Sequence, residues 1–228
     1  VANFSSFWQR QLSESIPGFI TTALTYPLNN YLSALRFFEI HKKDFTSWDA
    51  MTAEPKRHFA IIAQDTHAKL KLNADWWFRW PDYETTFRLA SNIVYLREKK
   101  SPDFVTRKAQ VYDAIRSGRI ALAFHAIYPF AGNDWQTRCG NTILRPGDEI
   151  ATSEPCHTII NIPPLFPFPY IVRLIRNGEI IHEAEREITL DISQGVYRVE
   201  VWAKINTPLR LLLHREVPYV FYNPIFIR

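Results

Sequence analysis

Residues 169–184, PYIVRLIRNGEIIHEA, do more than any other stretch to limit what this chain can become. Two extended, β-prone runs meet at Asn177-Gly178. An Asn-Gly pair between such runs marks a two-residue hairpin, because a type I′ turn needs positive φ at both central residues. Three more extended runs follow, EITLDI, GVYRVEVWAKI and YVFYNPIFI. In VYRVEVWA the residues Tyr197, Val199 and Val201 alternate with Val196, Arg198, Glu200 and Trp202, the period of a strand with two different faces. Evenly spaced strands and turns, with almost no helical period, imply an antiparallel, Ig-like β-sandwich over residues 133–228.

Residues 1–132 follow another pattern. HFAIIAQ (58–64) and IALAFHAI (120–127) are apolar runs that read as buried strands. SPDFVTRKAQVYDAIRSGR is the clearest helix: it starts at Ser-Pro-Asp, sets Val105, Ala109, Tyr112 and Ile115 on one face, and stops at Gly118. YPLNNYLSALRFFEI reads as a helix entered near Pro27 that runs on into a strand. TSWDAMTAEP reads as a short helix capped by Thr46 or Ser47. ETTFRLASNIVYLRE fits helix and strand equally. Alternating strands and helices with continuous apolar strands imply an α/β layer on a mostly parallel sheet. The fold class expected is therefore α/β plus all-β, with the change near 128–140, at YPFAGND.

Composition excludes several classes. A formal net charge of +4 without a basic block argues against a nucleic-acid partner. No apolar run approaches a membrane span, and four prolines break the most apolar region, NIPPLFPFPYIV. No signal-peptide pattern is present. Cys139 and Cys156 lack zinc-ribbon spacing and are too few for a disulfide framework. They can pair in an oxidising compartment; two free, partly buried thiols is the expectation.

The chemistry concentrates at IIAQDTHAK, residues 61–69. An apolar run ends in Asp65 and His67, which as i and i+2 project to one side of an extended chain. In α/β layers ligand sites gather beyond strand ends, and a carboxylate beside an imidazole can hold Zn²⁺, Mn²⁺ or Fe²⁺. A solvated aspartate beside a structural histidine has the same spacing, and about 0.3 Asp-x-His matches arise by chance in this composition. His41 falls at the end of RFFEI and can face the same rim. His125 lies in an apolar strand and reads as a satisfied core histidine. His58, His157, His182 and His214 read as surface or packing residues. Trp76, Trp77 and Trp80 form an aromatic cluster suited to packing or to a pocket floor. Arg79, Arg116 and Arg119 can pair with phosphate or end a solvated helix. No phosphate-binding loop and no nucleophile elbow is present.

Taken in order, these motifs resemble the C-terminal half of PHP-type (polymerase and histidinol phosphatase) metal-dependent phosphoesterases, in particular those with a β-sandwich after the catalytic barrel. Gln64-Asp65-Thr66-His67-Ala68 is similar to the family's Gly/Ser-Asp-Ala-His-Ala strand end, whose Asp and His bind metal. Ala114–Arg119 is similar to its Ala-x-x-x-Gly-Arg helix end. Gly195–Glu200 and Asn223–Ile225 are similar to its closing strands. The resemblance covers about residues 35–228. It implies a partial (β/α) barrel before the sandwich, Asp65 and His67 as metal ligands, divalent ions (Zn, Mn or Fe) as cofactors and a phosphorylated small molecule as substrate. The family's His-x-His motif does not occur in this sequence, which also does not begin with Met. The expectation is a C-terminal piece, inactive alone, that self-associates or pairs with a missing N-terminal half. The alternative is a degenerate scaffold whose sandwich binds carbohydrate or protein.

Overall fold

The Asn177-Gly178 turn forms as its residues require. Both take positive φ, 50° and 87°, between antiparallel strands Tyr170–Arg176 and Glu179–Ala184. The structure, a computed structural model, describes residues 2–3, 16–35, 42–52, 57–66, 70–71, 77–78, 82–164, 166–205 and 216–228.

In chain order the strands are β1 (Ala2–Asn3), β2 (Ile62–Ala63), β3 (Leu70–Lys71), β4 (Trp77–Phe78), β5 (Ala90–Val94), β6 (Ile120–Phe124), β7 (Asp134–Cys139), β8 (Thr142–Leu144), β9 (Glu149–Ile150), β10 (Cys156–Asn161), β11 (Tyr170–Arg176), β12 (Glu179–Ala184), β13 (Ile188–Ile192), β14 (Gly195–Lys204) and β15 (Glu216–Ile227). The helices are α1 (Ile16–Thr25), α2 (Asn30–Leu35), α3 (Lys42–Thr52), α4 (Tyr83–Leu89) and α5 (Phe104–Arg116). A small antiparallel sheet has the order β13-β10-β7-β8, and a large one the order β12-β11-β14-β15-β6-β5, with β9 beside β15.

The two sheets face each other as a β-sandwich. Trp135, Ile160 and Ile188 of the small sheet share a core with Val172, Val199, Val201 and Tyr222 of the large one. The other face of the large sheet, through Leu122, Phe124, Trp202 and Phe221, packs on Leu35 of α2, Trp48 of α3 and Leu89 of α4. Both faces of the large sheet are therefore covered, which explains the unbroken burial of β6.

That coverage corrects one expectation. Continuous apolar strands suggested a parallel sheet, yet β6 runs antiparallel to both β5 and β15. Burial on both faces produces the apolar run whichever way the neighbours point. The large sheet also joins strands from before and after position 132.

Local rules hold at several ends. Asp103 caps α5 by accepting from Thr106 N at 2.7 Å, and Gly118 takes φ 71° just beyond the helix. The ambiguous ETTFRLASNIVYLRE splits, its first half forming α4 and its second β5. Asp82 caps α4 and also accepts from the Tyr26 hydroxyl at 2.7 Å, tying α1 to α4. Burial pushes the Tyr26 hydroxyl up to about 12. Burial would raise the Asp82 carboxyl as well, but hydrogen bonds from Thr85 and Tyr26 outweigh it and hold it below the usual range. The helix at TSWDAM starts earlier than expected, at Lys42, so Thr46 and Ser47 lie within it and do not cap it. The stripe on α5 is a second correction: Val105, Tyr112 and Ile115 are exposed, while Ala114 is buried. The strand expected at RFFEI lies outside the described residues.

Cys139 and Cys156 are not free. They stand opposite each other across β7 and β10 and form a disulfide. A bond of this kind persists in oxidising compartments. It closes a loop between positions 17 apart. A Cys139→Ala/Cys156→Ala chain is therefore expected to lose about 3 kcal/mol. Urea unfolding of the two proteins checks this, and coincident midpoints would refute it.

Candidate functional site

Residues 57–66 carry the motif singled out by sequence, and their backbone is held in an unusual way. Only Ile62 and Ala63 make strand pairing, in parallel with β1. Side-chain amides meet the backbone groups of Ala60 and Ile62. The Ala60 N–H donates to Asn223 Oδ1 at 2.7 Å, and Asn223 Nδ2 donates back to the Ala60 carbonyl at 3.0 Å. Asn92 repeats the pattern two residues on: it accepts from the Ile62 N–H and donates to the Ile62 carbonyl, both at 2.9 Å. Gln64 Nε2 donates to the Ala90 carbonyl at 2.7 Å. Each asparagine presents one acceptor and one donor, as a neighbouring strand residue would.

Asn223 is on β15 and Asn92 on β5, the strands flanking β6. The segment therefore crosses over β6 on the helix-bearing face and is not a strand of that sheet, as HFAIIAQ was expected to be. The two register shifts of β15 against β14 leave extra residues near Tyr219 and near Asn223-Pro224. Proline is tolerated where a ladder is already broken, and the second shift frees Asn223 to turn its amide to Ala60.

Gly118 completes the seat. A Cβ there would lie 2.1 Å from the Phe59 ring, and the residue has φ 71°. Gly118→Ala is expected to cost about 2–4 kcal/mol, from the left-handed backbone and the ring contact together. Thermal unfolding measures it; an unchanged midpoint would mean that Phe59 does not hold this position.

Beyond this seat Asp65 takes a left-handed φ of 43° and is exposed. Aspartate tolerates that conformation better than most residues. His67 lies outside the described residues, as do His41, His214, Trp76, Trp80 and Arg79. Among the described residues no group of three or more His, Cys, Asp or Glu comes together to hold a metal.

The remaining histidines have ordinary roles. His125 Nε2 lies 2.6 Å from Ser91 Oγ, and burial lowers its pKa below the usual value. His157 pairs with Asp191 at 2.9 Å on the surface, and His182 is exposed on β12. Arg116 is exposed at its helix end. Arg119 is instead buried and donates to Asp148 at 2.6 Å, so it does not face solution phosphate.

A second site was not read from the sequence. A pocket of about 350 Å³ opens between α3 and the outer face of β11 and β14, bordered by Phe45, Asp49, Arg173, Arg198, Glu200 and Trp202. Arg198 is 5% exposed. It donates to both oxygens of Asp49, at 2.7 and 2.9 Å, and to Glu200. Glu200 also accepts from Trp202 Nε1 at 2.9 Å. Burial would lower the Arg198 pKa, but the two carboxylates raise it. Its guanidinium lies 4.9 Å from the Phe45 ring centre and 5.1 Å from that of Trp48. Arg173 binds Glu183 and Glu216 and lies over Trp202. The signal available was the pair of charged residues in the alternation of GVYRVEVWAKI, which carried no sign that a remote helix covers them.

Compared with protein-family models, curated proteins and solved structures, the chain matches none. No helix among the described residues is long and apolar enough to cross a membrane.

Proposed function

We propose that this chain is the C-terminal portion of a PHP-type metal-dependent phosphoesterase, with Asp65 and His67 supplying ligands at the end of the segment that crosses the sheet. The observation that carries this reading is the seat of that segment. Two motifs of the resemblance far apart in sequence, Gly118 and Asn223, both bear on residues 59 and 60, just before Asp65. Neither residue is a ligand; each acts by positioning the backbone that leads to the ligands. An exposed carboxylate suits a hard divalent cation. Two ligands fall short of the three that a catalytic zinc ion needs, so the reading requires further ligands from outside the described residues. When bound, such ions lower the pKa of a water and draw charge from phosphoryl oxygens. The chain's own part is to hold Asp65 and His67 in place.

The test is titration of the chain and of Asp65→Ala/His67→Ala with Mn²⁺ and Zn²⁺ by calorimetry, with metal content of the purified proteins measured beside it. The expected result is binding by the parent chain that weakens at least tenfold in the double variant. Metal bound with equal affinity by both rejects the metal role of these residues; no binding by either rejects a site formed by this chain alone.

The second reading is an interaction module for carbohydrate or protein. The aromatic and charged pocket beside α3 favours it, as does the absence of His-x-His from the chain.

A further inference from the structure

Helix α5 turns apolar residues outward beside a rim of cations. Phe104 is 66% exposed, Tyr112 50% and Ile115 41%. With Leu96 and Val111 they line a groove of about 500 Å³ between the helix and the loop that precedes it. That volume is in the range of sites that take small ligands or peptide side chains.

The groove is built, not incidental. Gln110 on α5 accepts from the Ser101 N–H at 3.0 Å and donates to the Lys99 carbonyl at 3.1 Å. This clasp fixes the loop as the opposite wall. Lys100 stands on that wall, and Arg107 and Lys108 on the helix. Two of these cations lie over the aromatic lining: Arg107 is 5.9 Å from the Phe104 ring centre and Lys108 5.8 Å from that of Tyr112. Of the nearby carboxylates, Glu98 is exposed on the loop but does not line the groove, and Asp103 is engaged as the N-cap of α5. Asp113, five residues after Lys108 on the helix, falls on the opposite side of it by helical spacing.

We propose that this groove docks an acidic amphipathic peptide segment of a partner protein, laid along α5 with apolar side chains in the groove and carboxylates on Lys100, Arg107 and Lys108. Charge complementarity selects the sign of the partner, and the apolar lining selects anchors at i and i+4, the helix-in-groove mode. The inference is independent of the metal reading.

The probe is a fluorescent 16-residue helical peptide with leucines at i and i+4 flanked by glutamates, and its counterpart with lysine for each glutamate. Anisotropy with the whole chain is expected to show binding of the acidic peptide that weakens with salt, and none of the basic one. Lys108→Glu and Arg107→Glu, both surface changes, are each expected to weaken it at least fivefold. Ile115→Ser is expected to weaken it with the salt dependence retained. Circular dichroism establishes that each variant is folded. Equal binding of both peptides, no effect of charge reversal, or no binding of the acidic peptide overturns the proposal. So does sedimentation of the chain with phosphatidylserine vesicles that is lost in Lys108→Glu, which would assign the face to a membrane.

Discussion

An Asn223→Ala chain is expected to be less stable by about 2–5 kcal/mol, because the buried Ala60 loses partners for both its N–H and its carbonyl. The loss concerns a backbone that no strand can rescue, since β15 already pairs with β14 and β6 on its two edges. Asn223→Asp separates the two bonds. It keeps an acceptor for the Ala60 N–H but sets a carboxylate oxygen against the Ala60 carbonyl, so its loss should be at least as large. Urea unfolding gives the magnitudes. Hydrogen exchange locates them, with faster exchange at Ala60 and Ile62 as the expected signature. If Asn223→Ala unfolds at the parent midpoint, the seat beneath Asp65 is not held as described, and the argument for the metal segment falls with it.

The second large effect is at Arg198. Arg198→Ala is expected to cost about 3–5 kcal/mol, because it leaves Asp49 and Glu200 facing each other without their shared cation. The aromatic contacts to Phe45 and Trp48 go with it. A triple change, Arg198→Met/Asp49→Ala/Glu200→Leu, removes the charges together and should recover much of the loss, because apolar groups in place of a buried ion network are often neutral or better. A triple variant no more stable than Arg198→Ala would show that packing around α3, and not charge, sets the cost. The same variants test the pocket: a ligand that needs the arginine loses affinity in the triple variant while the fold is retained.

Elements set by local rules were legible, in the sandwich and before it. Asn177-Gly178 dictates its turn, Asp103 its helix start and Gly118 its stop, each through the conformations one or two residues can adopt. The alternation of Tyr197, Val199 and Val201 with Arg198, Glu200 and Trp202 also held, with the first set in the sandwich core. The burial of the second set was not legible, because its cover is α3, some 150 residues away in sequence. The Cys139–Cys156 pairing depends on the register of β7 against β10, which neither strand specifies alone. HFAIIAQ looked like any buried strand; that its partners are side-chain amides on β5 and β15 is a property of the folded sheet. Of the candidate metal pair, sequence located the end of the segment but not the asparagines that fix it.

The place of β15 carries a further consequence, for the order in which the molecule assembles. It follows every other strand in the chain, yet lies between β14 and β6. Its pairing of Phe221 with Leu122 joins residues about a hundred positions apart. Until β15 arrives, β5 and β6 have no attachment to the β11–β14 ribbon, and the face that will receive the helices stays open. Such high contact order slows folding and lengthens the exposure of apolar strands. A nascent chain stopped before Glu216 is therefore a candidate chaperone client, and completion of the core awaits the twelve residues of β15.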